Sequence, residues 1–133
     1  MFSFRQAAAE DSRARALRWL YQRFTRENDP EARGVSLLRR WLSSEQRAQF
    51  EANGYFDVIG CHSGRRYRIY YSTATNVIEL DETGVRTTGW CFMPAGDLVA
   101  GDVMLAQKIA LETNELGALA VAQKFSGPFL ARV

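Results

Sequence analysis

His62 is the only histidine in the chain, and Cys61 stands directly before it. Cysteine and histidine are the residue types of a thiolate–imidazole nucleophile or of a zinc centre. Their spacing speaks against metal. There is no C-x-x-C and no H-x-x-x-H, and adjacent residues on a strand point to opposite faces. Both could hold one ion only with a turn between them, and with Cys91 and a carboxylate completing the set. The nucleophilic reading pairs His62 with Cys91, oriented by Asp97 or Asp57, and requires their strands to be neighbours. A cysteine on a half-buried strand is more often an inert filler. Cys91, between Trp90 and Phe92 in "GWCFMPAGDLVAGD", is read as structural. No catalytic residue, metal ion or cofactor is assigned. Phosphate cradles fail as well: "AGDLVAGD" lacks the lysine and the glycine spacing of a phosphate loop. The carboxylate pairs Asp81/Glu82 and Asp97/Asp102 read as a solvated turn and as helix caps.

The most suggestive surface is "RRYRIYY". Alternation places Arg65, Tyr67, Ile69 and Tyr71 on one face and Arg66, Arg68 and Tyr70 on the other. The first face is expected to look inward. The second offers guanidinium groups and a ring to phosphates and bases, as sheet-surface RNA binders do, although their sequence motif is absent. The plainer reading is a solvated face with cross-strand pairs, Arg68 opposite Glu79.

Charge is uneven. Residues 1–50 carry ten arginines against six acids, while the rest is about −2, for a total of +2. So small a net charge does not single out nucleic acid or a membrane as partner. The basic third reads as a helical arm from about Phe4 to Glu27, with Leu17, Leu20 and Phe24 on one apolar stripe. "ENDPEARG" is expected to break it, separating an arm (1–29) from a single domain (34–133).

Short helices are expected in "VSLLRRWL" and in "SSEQRAQFEANG", where Ser43 and Gln46 match a capping box and Gly54 suits the left-handed position after a helix. Four strands follow, at 55–61, 65–72, 76–80 and 86–93, joined by connections too short for parallel crossovers. A helix starting near Asp102 as its cap, and another capped by Thr113 or Asn114 and running to about Lys124, complete the chain. Lys108, Glu112 and Glu115 mark their polar stripe.

The expected fold is α+β. A four-stranded antiparallel meander carries C-terminal helices on one face and is preceded by N-terminal helices. Its core is Trp41, Phe50, Phe56, Val58, Tyr67, Ile69, Ile78, Leu80, Trp90, Phe92, Leu105, Ile109, Leu116 and Leu119. Two cysteines are too few for a disulfide framework, no signal-peptide core opens the sequence, and no apolar run approaches the ~20 residues of a membrane span. A cytoplasmic protein with free thiols is therefore expected.

"GYFDVIG", "RRYRI", "NV", "WCFMP" and "DVMLAQKIALET" together resemble a small uncharacterised bacterial domain, mainly alphaproteobacterial and phage-related. The resemblance covers roughly residues 41–124. It implies one compact domain in a bacterial cytoplasm and, since that group has no known activity, brings no site residues. The helices are more apolar than one sheet face requires, and helices apolar all round are buried somewhere. The leading expectation is thus a small non-enzymatic interaction module, acting as homodimer or adaptor through Leu17, Leu20 and Phe24. The alternative is a nucleic-acid-binding accessory protein using Arg66, Arg68 and Tyr70.

Overall fold

The structure, a computed structural model, describes residues 12–21 and 29–126. Residues 12–21 form a helix, α1. After it come α2 (Pro30–Trp41), α3 (Ser44–Asn53), β1 (Tyr55–Ile59), β2 (Arg66–Tyr70), β3 (Val77–Leu80) and β4 (Arg86–Cys91), then α4 (Ala100–Thr113), α5 (Glu115–Val121) and β5 (Gln123–Phe125).

The strands form one antiparallel sheet in the order β1-β2-β3-β4-β5, so each pairs with its neighbour in sequence. The expected α+β meander is present with a fifth strand. The sequence pattern predicts a helix running to about Lys124, through Gln123. Instead α5 stops at Val121 and the chain pairs with β4, Trp90 opposite Lys124. Phe125 lies over Gly89, where a side chain would collide with its ring.

Local chemistry sets several boundaries. Ser43 accepts from the Gln46 amide at 3.1 Å while Gln46 accepts from the Ser43 amide at 3.0 Å, closing the expected capping box. Gly54 ends α3 at φ 76°. Asn114 caps α5 by accepting from the Gly117 amide. Two expectations are corrected. Asp29 is extended before Pro30, as expected, but no loop follows to Gly34: Pro30 opens α2 as its first residue, where its missing N–H costs nothing, behind Asp29 as cap. The expected domain start at residue 34 thus falls inside a helix. Asp102 is not a cap either: α4 begins at Ala100, and Val99 precedes it without a side-chain cap bond.

The core lies on one face of the sheet. Phe56, Val58, Tyr67, Ile69, Val77 and Trp90 meet Leu38 of α2, Phe50 of α3, Met104, Leu105 and Leu111 of α4 and Ala118 of α5. Three residues expected there are exposed instead: Trp41, Ile109 and Leu116. Phe92 and Leu119 are half-buried against the cluster. The α2–α4 crossing explains the rotation of these helices, because Gly34 and Gly101 let the two backbones touch. Inside, Asn76 and Gln107 exchange two amide hydrogen bonds of 2.9 Å, and Gln107 also donates to the Phe92 carbonyl at 2.8 Å. Fully satisfied, such a pair fixes how α4 sits on β3 and β4.

Candidate functional site

Two clusters of polar side chains stand out. The first centres on Glu115 at the start of α5, which is expected on a polar stripe and is buried. Its carboxylate accepts from the amides of His62 and Ser63 at 2.9 and 2.7 Å, from the Ser63 hydroxyl at 2.5 Å and from the Tyr67 hydroxyl at 2.6 Å. Burial pushes this carboxyl up, but the four donors outweigh it and hold the group at about 2, below an ordinary 4.5. The Tyr67 phenol is pushed far up, first by burial and then by Glu115. Lys108, from the same expected stripe, is also buried and is paired with Glu112.

A turn does intervene between Cys61 and His62, and it brings their side chains together: Cys61 Sγ lies 3.3 Å from His62 Nδ1. The expected condition for a His62–Cys91 pair is not met, since β1 and β4 are separated by β2 and β3. Cys91 faces Gln123 across the far side of the sheet. No group of three or more potential metal ligands occurs among the described residues. With every acceptor site of Glu115 directed at its own chain, the cluster works as a latch: it ties the β1–β2 turn to α5. Both cysteines are free, Cys61 exposed and Cys91 half-buried. Iodoacetamide at neutral pH should therefore modify Cys61 first, as read by peptide mass spectrometry, and earlier modification of Cys91 would contradict its placement between Trp90 and Phe92.

The second cluster is the sheet face turned away from the helices. Cross-strand pairing lines up Asp57, Arg68, Ile78, Gly89 and Phe125 in one row, and Ile59, Arg66, Leu80 and Arg86 in another. Tyr55 stands opposite Tyr70, their ring centroids 5.1 Å apart. The structure brings Arg66, Arg68 and Tyr70 together on this face as expected, but Arg68 does not oppose Glu79. It stands between Asp57 and Ile78 and grips the Asp57 carboxylate through Nε and Nη2 at 2.8 and 3.2 Å. That contact raises the guanidinium pKa, the Asp57 hydrogen bond being the main cause. The same guanidinium lies 4.2 Å above the Tyr55 ring. Glu79 faces the helices, where it accepts from Trp90 Nε1 at 3.2 Å. Arg86 reaches from β4 across β3 to donate to the Tyr70 hydroxyl at 2.7 Å, over Ile78 and Leu80, which are buried on this side. Sequence reasoning missed Tyr55, Arg86 and Phe125, because their share in the face depends on register.

Of the expected interaction residues, Leu17 and Leu20 are exposed on α1 and Phe24 lies outside the described residues. Among the described residues no helix is long and apolar enough to cross a membrane. No family model, no curated protein and no solved structure matches the chain.

Proposed function

We propose that the protein is a non-enzymatic interaction module that associates through its N-terminal helix, with a second copy of the chain as its first partner. The observation that carries this reading is α1 itself. Leu17, Trp19, Leu20 and Tyr21 are 67, 57, 54 and 70 % exposed on this helix. A helix this rich in large exposed apolar side chains is stabilised by a surface to pack on. The domain offers further apolar area in Leu37 and Trp41 of α2 and Leu116 and Val121 of α5, all exposed.

Light scattering on the full chain tests this. The wild type is expected to run as a dimer, and a Leu17→Glu/Leu20→Glu double variant as a folded monomer. A wild type that stays monomeric at high concentration removes self-association. If the double variant keeps the dimer, the helix is not its interface.

A further inference from the structure

We propose that the ridge where α2 lies against α4 is the surface that receives α1 of a second copy, each copy laying its α1 on the other's ridge. This rests on the association proposed above and names the face that α1 meets.

The ridge follows from the helix crossing. A methyl group at Gly34 would lie 2.7 Å from Val99 Cγ2 and 3.4 Å from Asp102 Oδ1. The stripe of α2 that holds Gly34 therefore abuts the stripe of α4 that starts at Asp102. Helical spacing continues the first stripe through Leu37 and Trp41, and the second through Leu105 and Ile109. Farther along, Gln46 Nε2, in the first turn of α3, lies 3.4 Å from Glu112 Oε2, near the end of α4. The two helices thus stay side by side and run in the same direction. Leu37, Trp41 and Ile109 are all exposed along this line.

Charge says what fits there. The Asp102 side chain caps no helix end and makes no hydrogen bond or ion pair among the described residues. Asp97, exposed in the connection to α4, adds a second carboxylate. The one lysine of α4, Lys108, is buried and held by Glu112. Arg33 and Arg40 belong to another side of α2, turned about 100–120° from the Gly34 stripe by helical periodicity. The α4 side of the ridge is therefore apolar and acidic.

The chain carries the complement in α1. Residues 12–21 hold Arg13, Arg15 and Arg18 and no acid. Arg13, Leu17 and Leu20 share one stripe, a cation about one turn ahead of two leucines. On α4 the order is the same, Asp102 ahead of Ile109. The spans match as well: Arg13 to Leu20 and Asp102 to Ile109 are each seven residues, or about 10 Å of helix. Laid parallel to α4, α1 brings Arg13 to Asp102 and sets Leu17 and Leu20 among Leu37, Trp41 and Ile109. Leu17 and Leu20 are exposed on their own chain, so the ridge they cover belongs to another copy. Two such contacts related by a two-fold axis close the pair and leave no ridge open for further growth.

Variants of the full chain test this. The ridge variant Trp41→Glu/Ile109→Glu changes exposed positions only. Like the α1 variant Leu17→Glu/Leu20→Glu, it should be a folded monomer by light scattering and urea unfolding. Neither can pair with itself, but the ridge variant keeps an intact α1 and the α1 variant an intact ridge. Titrating the α1 variant into fluorescently labelled ridge variant should raise its anisotropy to saturation, as the two join through one contact instead of two. A second measurement does not need the ridge variant. Arg13→Glu and Asp102→Arg should each weaken the dimer roughly 3- to 10-fold, and both changes in one chain should restore it to within about 2-fold of wild type. A ridge variant that stays dimeric while the α1 variant is monomeric leaves the association standing and overturns this docking face. Absence of the mixed dimer, or of recovery in the Arg13→Glu/Asp102→Arg chain, overturns it as well. A monomeric wild type removes the association and this docking together.

Discussion

Replacing Glu115 by alanine will cost the fold about 3–5 kcal/mol, the largest loss expected from any single side chain here. The carboxylate is buried and takes two amide and two hydroxyl hydrogens. Its removal strands the Tyr67 hydroxyl, in a residue with no exposed surface, and leaves the β1–β2 turn without its hold on α5. Glu115→Gln separates charge from shape: the amide fills the space but accepts through one atom and turns a donor toward donors.

The pH dependence has a definite sign. Folding lowers this carboxyl to about 2 from an ordinary 4.5, so the folded state prefers the ionised form. The resulting stabilisation is complete above the unfolded value. It is lost as pH falls from about 5 toward 2, and amounts to about 2–3 kcal/mol. Urea unfolding of wild type and Glu115→Gln across that range checks it. The wild-type curve should fall more steeply, and parallel curves would show that Glu115 contributes no acid dependence.

Gly101→Ala is expected to destabilise by about 2–4 kcal/mol through overpacking at the α2–α4 crossing. A methyl group at this position would fall on the carbonyl carbon and oxygen of Gly34 and lie 2.6 Å from the Val35 nitrogen. These are backbone atoms inside a helix and cannot step aside singly, so the helices must separate along their length. Gly34→Ala makes a sharp comparison. Its methyl would meet Val99 Cγ2 at 2.7 Å, a side-chain atom that can rotate away. Thermal or urea unfolding should rank Gly101→Ala as clearly the worse of the two. The reverse order would mean that the crossing yields at α2 rather than at the Val99 side chain.

Features decided within a few residues were legible in the sequence. The Ser43/Gln46 box, Gly54 after α3 and the Asn114 cap depend only on near neighbours. The alternation that turns Tyr67 and Ile69 inward and leaves Arg66 and Arg68 outside depends only on strand periodicity. Pro30 was ambiguous because proline both ends helices and starts them, and the Asp29 cap settles the matter in three dimensions. β5 has three residues and too little pattern to announce itself; it exists because β4 and Gly89 receive it. Register was the larger gap. Periodicity shows which face Arg68 occupies, yet whether it meets Asp57 or Glu79 turns on a slide along the strand that sequence alone does not set. The burial of Glu115 was hidden for a related reason, since its donors lie 48 to 53 residues earlier in the chain.

The meander order has a consequence for synthesis. Because each of β1 to β4 pairs with the strand made just before it or just after it, these four strands can close hairpin by hairpin as the chain leaves the ribosome, and β5 joins only after α4 and α5. The helical layer cannot. α2 emerges early, but the surface that covers Gly34 belongs to α4, which is made only after β4 is complete. Until then Leu38 and the inner faces of the first strands have no lid. The cover for α2 and the first strands is thus supplied by α4, so their apolar faces stay bare from the time β4 is made until α4 emerges.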